Sequence, residues 1–227
     1  MCTLSYQVTE SGYRLCFSRD EKRNRKPAHP PQVFGHALMP IDGDKNGTWI
    51  SVNQHGLSLC LLNNYQCQHQ PADPKSRGEI IKKLSQVSST KELMAAFNLL
   101  DIKDYPGFTL VVFSPESTPY CLTANNGNIK KNTVTEWPLT SSSFGEQACS
   151  TRRHYYQDIK GIEFHRSHYP SAGPLSVCVH REDVQTVSLT EIVVEPEMIE
   201  MHYFDGSPCE NHLALNYSLE RLQHELA

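Results

Sequence analysis

Cys2-Thr3-Leu4-Ser5-Tyr6-Gln7-Val8 and Tyr13-Arg14-Leu15-Cys16-Phe17-Ser18-Arg19-Asp20 are two runs separated by a break at Glu10-Ser11-Gly12. In the first run Cys2, Leu4, Tyr6 and Val8 recur with the period of two that places alternate side chains on one face of a strand. The second run has strand character up to Phe17 and ends in Ser18-Arg19-Asp20-Glu21. The pair predicts a β-hairpin at the very start of the chain. With the turn near Gly12, residues around 19–22 lie across from Cys2.

Outward from this hairpin, residues 22–47 are rich in Pro, Gly, Asn and Lys. They predict a long loop with at most one short strand around 33–34. A second hairpin follows at 48–52 and 57–62, joined by Asn53-Gln54-His55-Gly56. The run 57–62 is apolar at nearly every position, so a strand covered on both faces is expected. Ile80, Ile81, Leu84 and Val87 mark one helix. Ser89-Thr90-Lys91-Glu92 reads as a capping box that opens another, with Leu93, Ala96, Phe97 and Leu100 on its apolar face. Strands are expected at 108–113, 120–124, 175–180, 186–194 and 198–204, and a helix at 145–159. Residues 212–227 fit two patterns: 212–219 alternates like a strand, whereas Leu219, Leu222 and Leu226 repeat like a helix. Hairpins dominate, and no βαβ unit with a Gly-rich turn occurs. The expected class is α+β, with antiparallel sheets covered by helices in one domain over residues 1–227.

The 227 residues are 38% hydrophobic and 20% charged, with a formal net charge of −4. That composition belongs to a globular chain and gives no electrostatic reason to expect a nucleic-acid partner. The short basic run Lys22-Arg23-Asn24-Arg25-Lys26 reads as a solvated loop. No apolar stretch is long enough for a transmembrane segment, and no secretory signal opens the chain. The eight cysteines, at 2, 16, 60, 67, 121, 149, 178 and 209, contain no CxxC pair. Reduced thiols in a cytoplasmic protein are therefore expected. Cys16, Cys60, Cys121 and Cys178 lie in apolar runs and read as small buried hydrophobes.

Cys2 differs by position. Aminopeptidases remove Met1 when the second residue is small, which would leave a thiol and a free α-amine on one residue. Their ordinary pKa values are ~8.5 and ~7.7, so the amine can serve as general base for its own side chain. N-terminal-nucleophile enzymes work in this way. The hairpin register brings Asp20 near enough to hold the amine and Arg19 near enough to stabilise a thiolate or an anionic group. The alternative is an inert Cys2 beside charges that merely begin a solvated loop.

Met1-Cys2-Thr3, Ser18-Arg19-Asp20-Glu21, Gly47-Thr48-Trp49-Ile50 and Leu62-Asn63-Asn64-Tyr65 together resemble the transport and Golgi organisation 2 family, also called NRDE after its Asn-Arg-Asp-Glu motif. Further segments fit it: Leu139-Thr140-Ser141-Ser142-Ser143-Phe144, Phe164-His165-Arg166-Ser167-His168 and Ser176-Val177-Cys178-Val179-His180-Arg181-Glu182-Asp183. Ser18 stands for the first Asn of the motif, and Asn46-Gly47 for a Gly-Gly pair. The family in turn is similar to bile-salt hydrolases and penicillin V acylases, which cleave carbon–nitrogen amide bonds. The resemblance implies the four layers of an αββα sandwich of antiparallel sheets. It also implies a nucleophile at Cys2, flanking Arg19 and Asp20, and an oxyanion donor at Asn63, with Asn64 as the neighbouring choice. Ser141 falls where those hydrolases have a second Asn, and Arg152 or Arg153 where they have a helical Arg. These four, Asn64, Ser141, Arg152 and Arg153, are the expected substrate-binding positions. The expected ligand is a small-molecule amide or a hydrophobic anion.

Two other readings remain open. The family's link to haem trafficking and to lipid or acyl-CoA homeostasis implies a non-catalytic carrier, with haem as the cofactor it would take. Independently, His165, His168, Cys178 and His180 are metal-ligating types at close spacing. The stretch Cys209-Glu210-Asn211-His212 reads as a loop without zinc spacing.

Overall fold

The computed structural model describes residues 1–222. The opening runs form β1 (Cys2–Val8) and β2 (Tyr13–Lys22), antiparallel, with Cys2 opposite Arg19 and Leu4 opposite Phe17. Gly12 closes their turn against the carbonyl of Val194. A Cβ there would come within 1.9 Å of that oxygen, so only glycine fits. The other edge of β2 carries β11 (Val184–Val194), then β12 (Met198–Asp205) and β13 (Leu215–Glu220). A short β10 (Leu139–Ser141) pairs with the outer edge of β1. This six-stranded sheet is antiparallel throughout.

The second sheet has seven antiparallel strands in chain order: β3 (His29–Phe34), β4 (Ala37–Ile41), β5 (Ile50–Asn53), β6 (Ser58–Asn63), β7 (Phe108–Ser114), β8 (Ser117–Asn125) and β9 (Asn128–Thr133). The core between the sheets takes Leu4, Leu15 and Phe17 from the first and Ile50, Val52, Cys60, Leu62 and Val111 from the second. Helices α1 (Gly78–Leu84) and α2 (Thr90–Asn98) cover the outer face of the seven-stranded sheet through Ile80, Ile81, Leu84, Leu93 and Phe97. Strand β6 shows why its run is apolar on both faces. Cys60 and Leu62 enter the inter-sheet core, while Leu59 and Leu61 meet the helices. Each such leucine contributes ~1.5–3 kcal/mol by leaving water. Helices α3 (Gly145–Tyr156) and α4 (Gly161–Arg166) cover the six-stranded sheet, with Ile162 against Cys16 and Leu189, and Phe164 against Tyr156 and Val177. The layers are therefore αββα, as expected.

Several expectations fail locally. Residues 22–47 hold two strands, β3 and β4, around a turn at Gly35, where φ is +59°. Edge pairing tolerates Pro30 and Pro31, which the composition argument counted as breakers. Residues 175–180 are not a strand. Cys178 N–H donates to Ser167 O and the Ser176 hydroxyl to Cys178 O, so this backbone is satisfied by loops; a lone bridge joins His180 to Gln185. The expected helix at 145–159 stops at Tyr156, and α4 begins at Gly161, where φ is +59°. Residues 215–220 are strand; the helix-like repeat to Leu226 runs into 223–227, outside the described residues. The capping box is half made. Ser89 Oγ accepts from Glu92 N–H, but the Glu92 carboxylate accepts from Ser88.

On the helix side of the six-stranded sheet, His165 is fully buried between Ser5 and Ser18. The Ser5 hydroxyl lies 2.9 Å from Nε2 and the Ser18 hydroxyl 2.7 Å from Nδ1. Burial, helped by the Arg152 charge, pulls the imidazole pKa down to about 3. The folded state therefore refuses a proton that the unfolded chain accepts near ~6.5. Stability is fully present above that value and is lost as pH falls from about 6.5 towards 3. The slope from this group reaches ~1.4 kcal/mol per pH unit. Chemical denaturation across this range should show that fall in the native chain and a flatter profile in His165→Asn.

Candidate active site

The start of β1 is clamped rather than free. The Met1 α-ammonium donates to Asp20 O at 3.0 Å, and Asp20 N–H donates to Met1 O at 2.9 Å. The Met1 side chain is buried, with the Ser142 and Ser143 hydroxyls 3.5 and 3.7 Å from its sulfur. Strand alternation then sorts the first residues. Cys2, Leu4 and, across the hairpin, Phe17 point into the inter-sheet core. Thr3, Ser5, Ser18 and Asp20 point towards the α3 and α4 layer, where Arg152 and His165 meet them.

Arg19 shares the face of Cys2 and is itself buried. Its guanidinium stacks 4.2 Å above the Trp49 ring, pairs with Asp42 and reaches Glu21 at 3.3 Å. Asp42, just after β4, also accepts from Arg25 at 2.6 and 2.7 Å and from the N–H groups of Asp44 and Lys45. Asp42 thus bridges two guanidiniums, with Glu21 and Asp44 supplying the remaining counter-charge, and orders the loop 42–47. In that loop Asn46 takes φ +54°, a left-handed conformation that Asn tolerates where Gly would be freer. Gly47 then passes against Gly78 at the start of α1, where a Cβ would come within 2.8 Å of the Gly78 Cα.

Asp20 is buried among helix-side polar groups. The Thr186 hydroxyl donates to its Oδ1 at 2.7 Å, while Oδ2 is buried with no hydrogen-bond partner among the described residues. Burial raises the Asp20 pKa; the α-ammonium, Arg152 and the Thr186 bond oppose that rise. Burial likewise pushes the Cys2 thiol up to about 11, against the pull of the α-ammonium and Arg19 and with a further push from Asp20 and Glu21. At the Met1 ammonium, burial favours the neutral form. Cys2, Asp20 and Tyr65 outweigh it and hold the group at about 10.

A cleft of about 310 Å³ opens beside Cys2, lined among others by Arg19, Trp49, Asn63 and Arg77. A second, of about 520 Å³, includes Asp20, Tyr65 and Ser143 in its lining. Met1, Asn63, Glu21 and Arg25 border both. The Asn63 amide donates to the Tyr65 hydroxyl at 3.3 Å. Asn64 is spent elsewhere: it donates to Ala124 O and accepts from Gln66 N–H. Ser141 sits directly opposite Cys2, its buried hydroxyl without a partner among the described residues. Arg152 is fully buried and donates to Thr3 Oγ1 at 2.6 Å and to the carbonyls of Pro174 and Leu175. Arg153 is not brought to the site. Neighbouring helix positions are ~100° apart, so only one of the pair can face the sheet. Arg153 is turned outward, 3.8 Å from Glu136 and from Glu146.

Asp42 and Thr186 stand outside every motif quoted above; Arg25, in the run expected as a solvated loop, instead pairs with Asp42, and Trp49, part of the Gly47-Thr48-Trp49-Ile50 motif, lies in the core beneath Arg19. Asp42 left one signal, a carboxylate between the apolar run Ala37-Leu38-Met39-Pro40-Ile41 and a glycine. Of the four expected metal ligands, His168, Cys178 and His180 do converge, but with Cys209 as the fourth. His165 is withdrawn from that set because both its ring nitrogens face serines on the sheet. No histidine lines either cleft, and the Cys2 thiol is buried with its pKa pushed up to about 11.

The sequence profile of the family described as Transport and Golgi organisation 2 matches residues 1–160. No curated protein matches in sequence. Similar solved structures include penicillin V acylase from Agrobacterium tumefaciens, with 11% identity over 90% of this chain and 86% of that one, at a TM-score of 0.54. A Caenorhabditis elegans ortholog of N-acylethanolamine-hydrolyzing acid amidase matches with 11% identity over 85% and 92%, at 0.56. A mutant conjugated bile acid hydrolase from Clostridium perfringens matches with 11% identity over 99% and 97%, at 0.51. At such identity the likeness establishes the N-terminal-nucleophile hydrolase fold.

Removing the Asp42 charge strands the buried Arg19 guanidinium, a loss of the kind that costs ~3–5 kcal/mol. Residual pairing with Glu21 and stacking on Trp49 should hold Asp42→Asn near the lower figure, read as a shifted urea midpoint with an unchanged slope.

Proposed function

The chain belongs to the transport and Golgi organisation 2 family, and from that premise we propose that it is an N-terminal cysteine amidohydrolase acting on a small amide that carries an anionic group. The observation that carries this reading is the unpartnered Oδ2 of Asp20, buried one ladder step from Cys2. A buried carboxylate oxygen left without a donor is costly. Loss of Met1 would supply the donor by turning the Cys2 nitrogen into a free amine at the strand end.

In that form the Cys2 amine takes the thiol proton as sulfur adds to the amide carbonyl. The tetrahedral oxyanion accepts hydrogen bonds from Asn63 and from Asp20 N–H, whose present acceptor is the Met1 carbonyl. Collapse breaks the carbon–nitrogen bond, and the protonated α-amine returns its proton to the leaving amine. Water then attacks the thioester, the α-amine accepting its proton, and the acid leaves with the thiol restored. Asp20 orients the amine, and Thr186 orients Asp20. Arg19 is neutralised by Asp42, so its part is to shape the wall of the cleft and to temper the thiol rather than to act as a free cation. Lys45, Lys75 and Arg77 also line the cleft, which suits an anionic end on the substrate. Ser141 in place of a second amide donor makes the reaction slow by one oxyanion contact, ~10²–10³-fold. All eight cysteines are free thiols, which suits a reducing, cytoplasmic setting. No helix among the described residues is long and apolar enough to cross a membrane.

Intact mass should show Met1 removed, and an electrophilic acyl probe should then label Cys2 near neutral pH. Asp20→Asn should slow labelling on the order of 10²-fold, and Cys2→Ala should abolish it. Chain that retains Met1 should resist alkylation until the pH approaches about 11. Mature protein that keeps Met1, or neutral labelling indifferent to Asp20, would leave the fold without its amidase chemistry.

A further inference from the structure

His168, Cys178, His180 and Cys209 come from three separate irregular segments, yet their ligand atoms all lie within 4.8 Å of one another. Cys178 Sγ is 3.4 Å from Cys209 Sγ and 3.6 Å from His180 Nε2, and Cys209 Sγ is 3.2 Å from that same nitrogen. The rings of His168 and His180 stand edge to face at 5.0 Å. A disulfide would need the sulfurs at ~2.05 Å. A tetrahedron with ~2.3 Å metal–sulfur and ~2.0 Å metal–nitrogen bonds has edges of about 3.3–3.8 Å; the three spacings of 3.2, 3.4 and 3.6 Å lie within a few tenths of an ångström of these. The geometry points to a structural zinc site of two thiolates and two imidazoles, held by these four residues. Two soft sulfurs and two imidazoles in a compact group select zinc over the hard, oxygen-seeking ions.

The surroundings favour a built site over a chance meeting. The segment bearing His168 is tied to that of Cys178 by Cys178 N–H donating to Ser167 O at 3.0 Å. It is tied to that of Cys209 by Arg166 Nε donating to Pro208 O at 3.1 Å. Ser207 Oγ donates to Thr186 O at 2.9 Å, so the turn bearing Cys209 is fastened to β11. Residues 175–180 meet β11 at Val179 and His180 without forming a ladder, and a metal supplies the further cross-link that a ladder otherwise would. Cys178 is buried, His180 and Cys209 are half-buried and His168 is exposed, which leaves a path for the ion to enter.

The site also touches the candidate active site through one residue. Val179, between the ligands Cys178 and His180, donates its N–H to Thr186 Oγ1 at 2.8 Å, and that hydroxyl donates to Asp20 Oδ1 at 2.7 Å. The ion thereby fixes the support of the Asp20 carboxylate. This last consequence rests on the amidohydrolase reading; the metal site itself does not.

Untagged protein purified under thiol reductant should contain one zinc per chain by elemental analysis. Replacing it with Co²⁺ should give the visible bands of a tetrahedral ion and the near-ultraviolet charge transfer of cobalt thiolates. Cys178→Ser with Cys209→Ser should lose both zinc and spectrum. His168→Ala, exposed and therefore tolerated by the fold, should weaken Zn²⁺ at least about ten-fold against a chelating dye. Loss of an outer-shell partner alone costs ~10–100-fold, and a ligand costs no less. Cys121→Ser should change nothing. Reduced protein that carries no metal and gives no cobalt spectrum overturns the proposal. So does a cobalt spectrum indifferent to the serine and alanine substitutions, or a Cys178–Cys209 disulfide in rapidly alkylated protein. None of these readouts involves Cys2, so the site and the amidase stand or fall separately.

Discussion

A guanidinium buried between two sheets sets the terms for everything at this end of the sandwich. Arg19 leaves β2 on the core side, and its neutralising carboxylate comes from the opposite sheet. Without Asp42 the charge would be intolerable in this position, and without Trp49 it would have no apolar surface for its flat face. The pairing fixes how far apart the sheets stand beside Cys2 and therefore how wide the cleft is. It also draws in Arg25 and the turn at 42–47, so the wall of the cleft is ordered by one carboxylate.

The alternation of a strand does the remaining work. It sends the Cys2 thiol into the inter-sheet space and the Asp20 carboxylate to the helix side, so the two share a ladder end without sharing a face. A backbone amine at the end of β1 is the one group that can address both. On the proposed amidohydrolase reading, nucleophile and base would belong to one residue, whereas the Asp20 carboxylate is held on the helix side of the sheet by the Thr186 hydroxyl and faces the Arg152 charge. Both clefts border Met1 at this strand end.

Much of this was legible in the residues. The opening alternation and the turn near Gly12 put residues around 19–22 across from Cys2, and the observed register sets Arg19 there. The apolar run of β6 announced a strand covered twice. What escaped was set by distant pairing. The strands in 22–47 exist because β5 offers an edge, which no local signal in a proline-rich stretch reveals. Residues 175–180 alternate like a strand, yet they meet β11 merely at Val179 and His180, while Cys178 N–H bonds to the loop at Ser167. Asp42, Thr186 and Cys209 join their sites only through tertiary approach from segments far along the chain. The choice between Arg152 and Arg153 needed the helix phase, and that between Asn63 and Asn64 the end of β6.

The burial of the first residue has a temporal consequence. Its amine and carbonyl form the last rung of the hairpin, and its side chain is packed beneath Ser142 and Ser143, which are made more than a hundred residues later. An exopeptidase can take hold of Met1 only before that rung closes. If Met1 is removed as proposed, the trimming belongs to the nascent chain on the ribosome, and a molecule that escapes it there is sealed with its methionine inside.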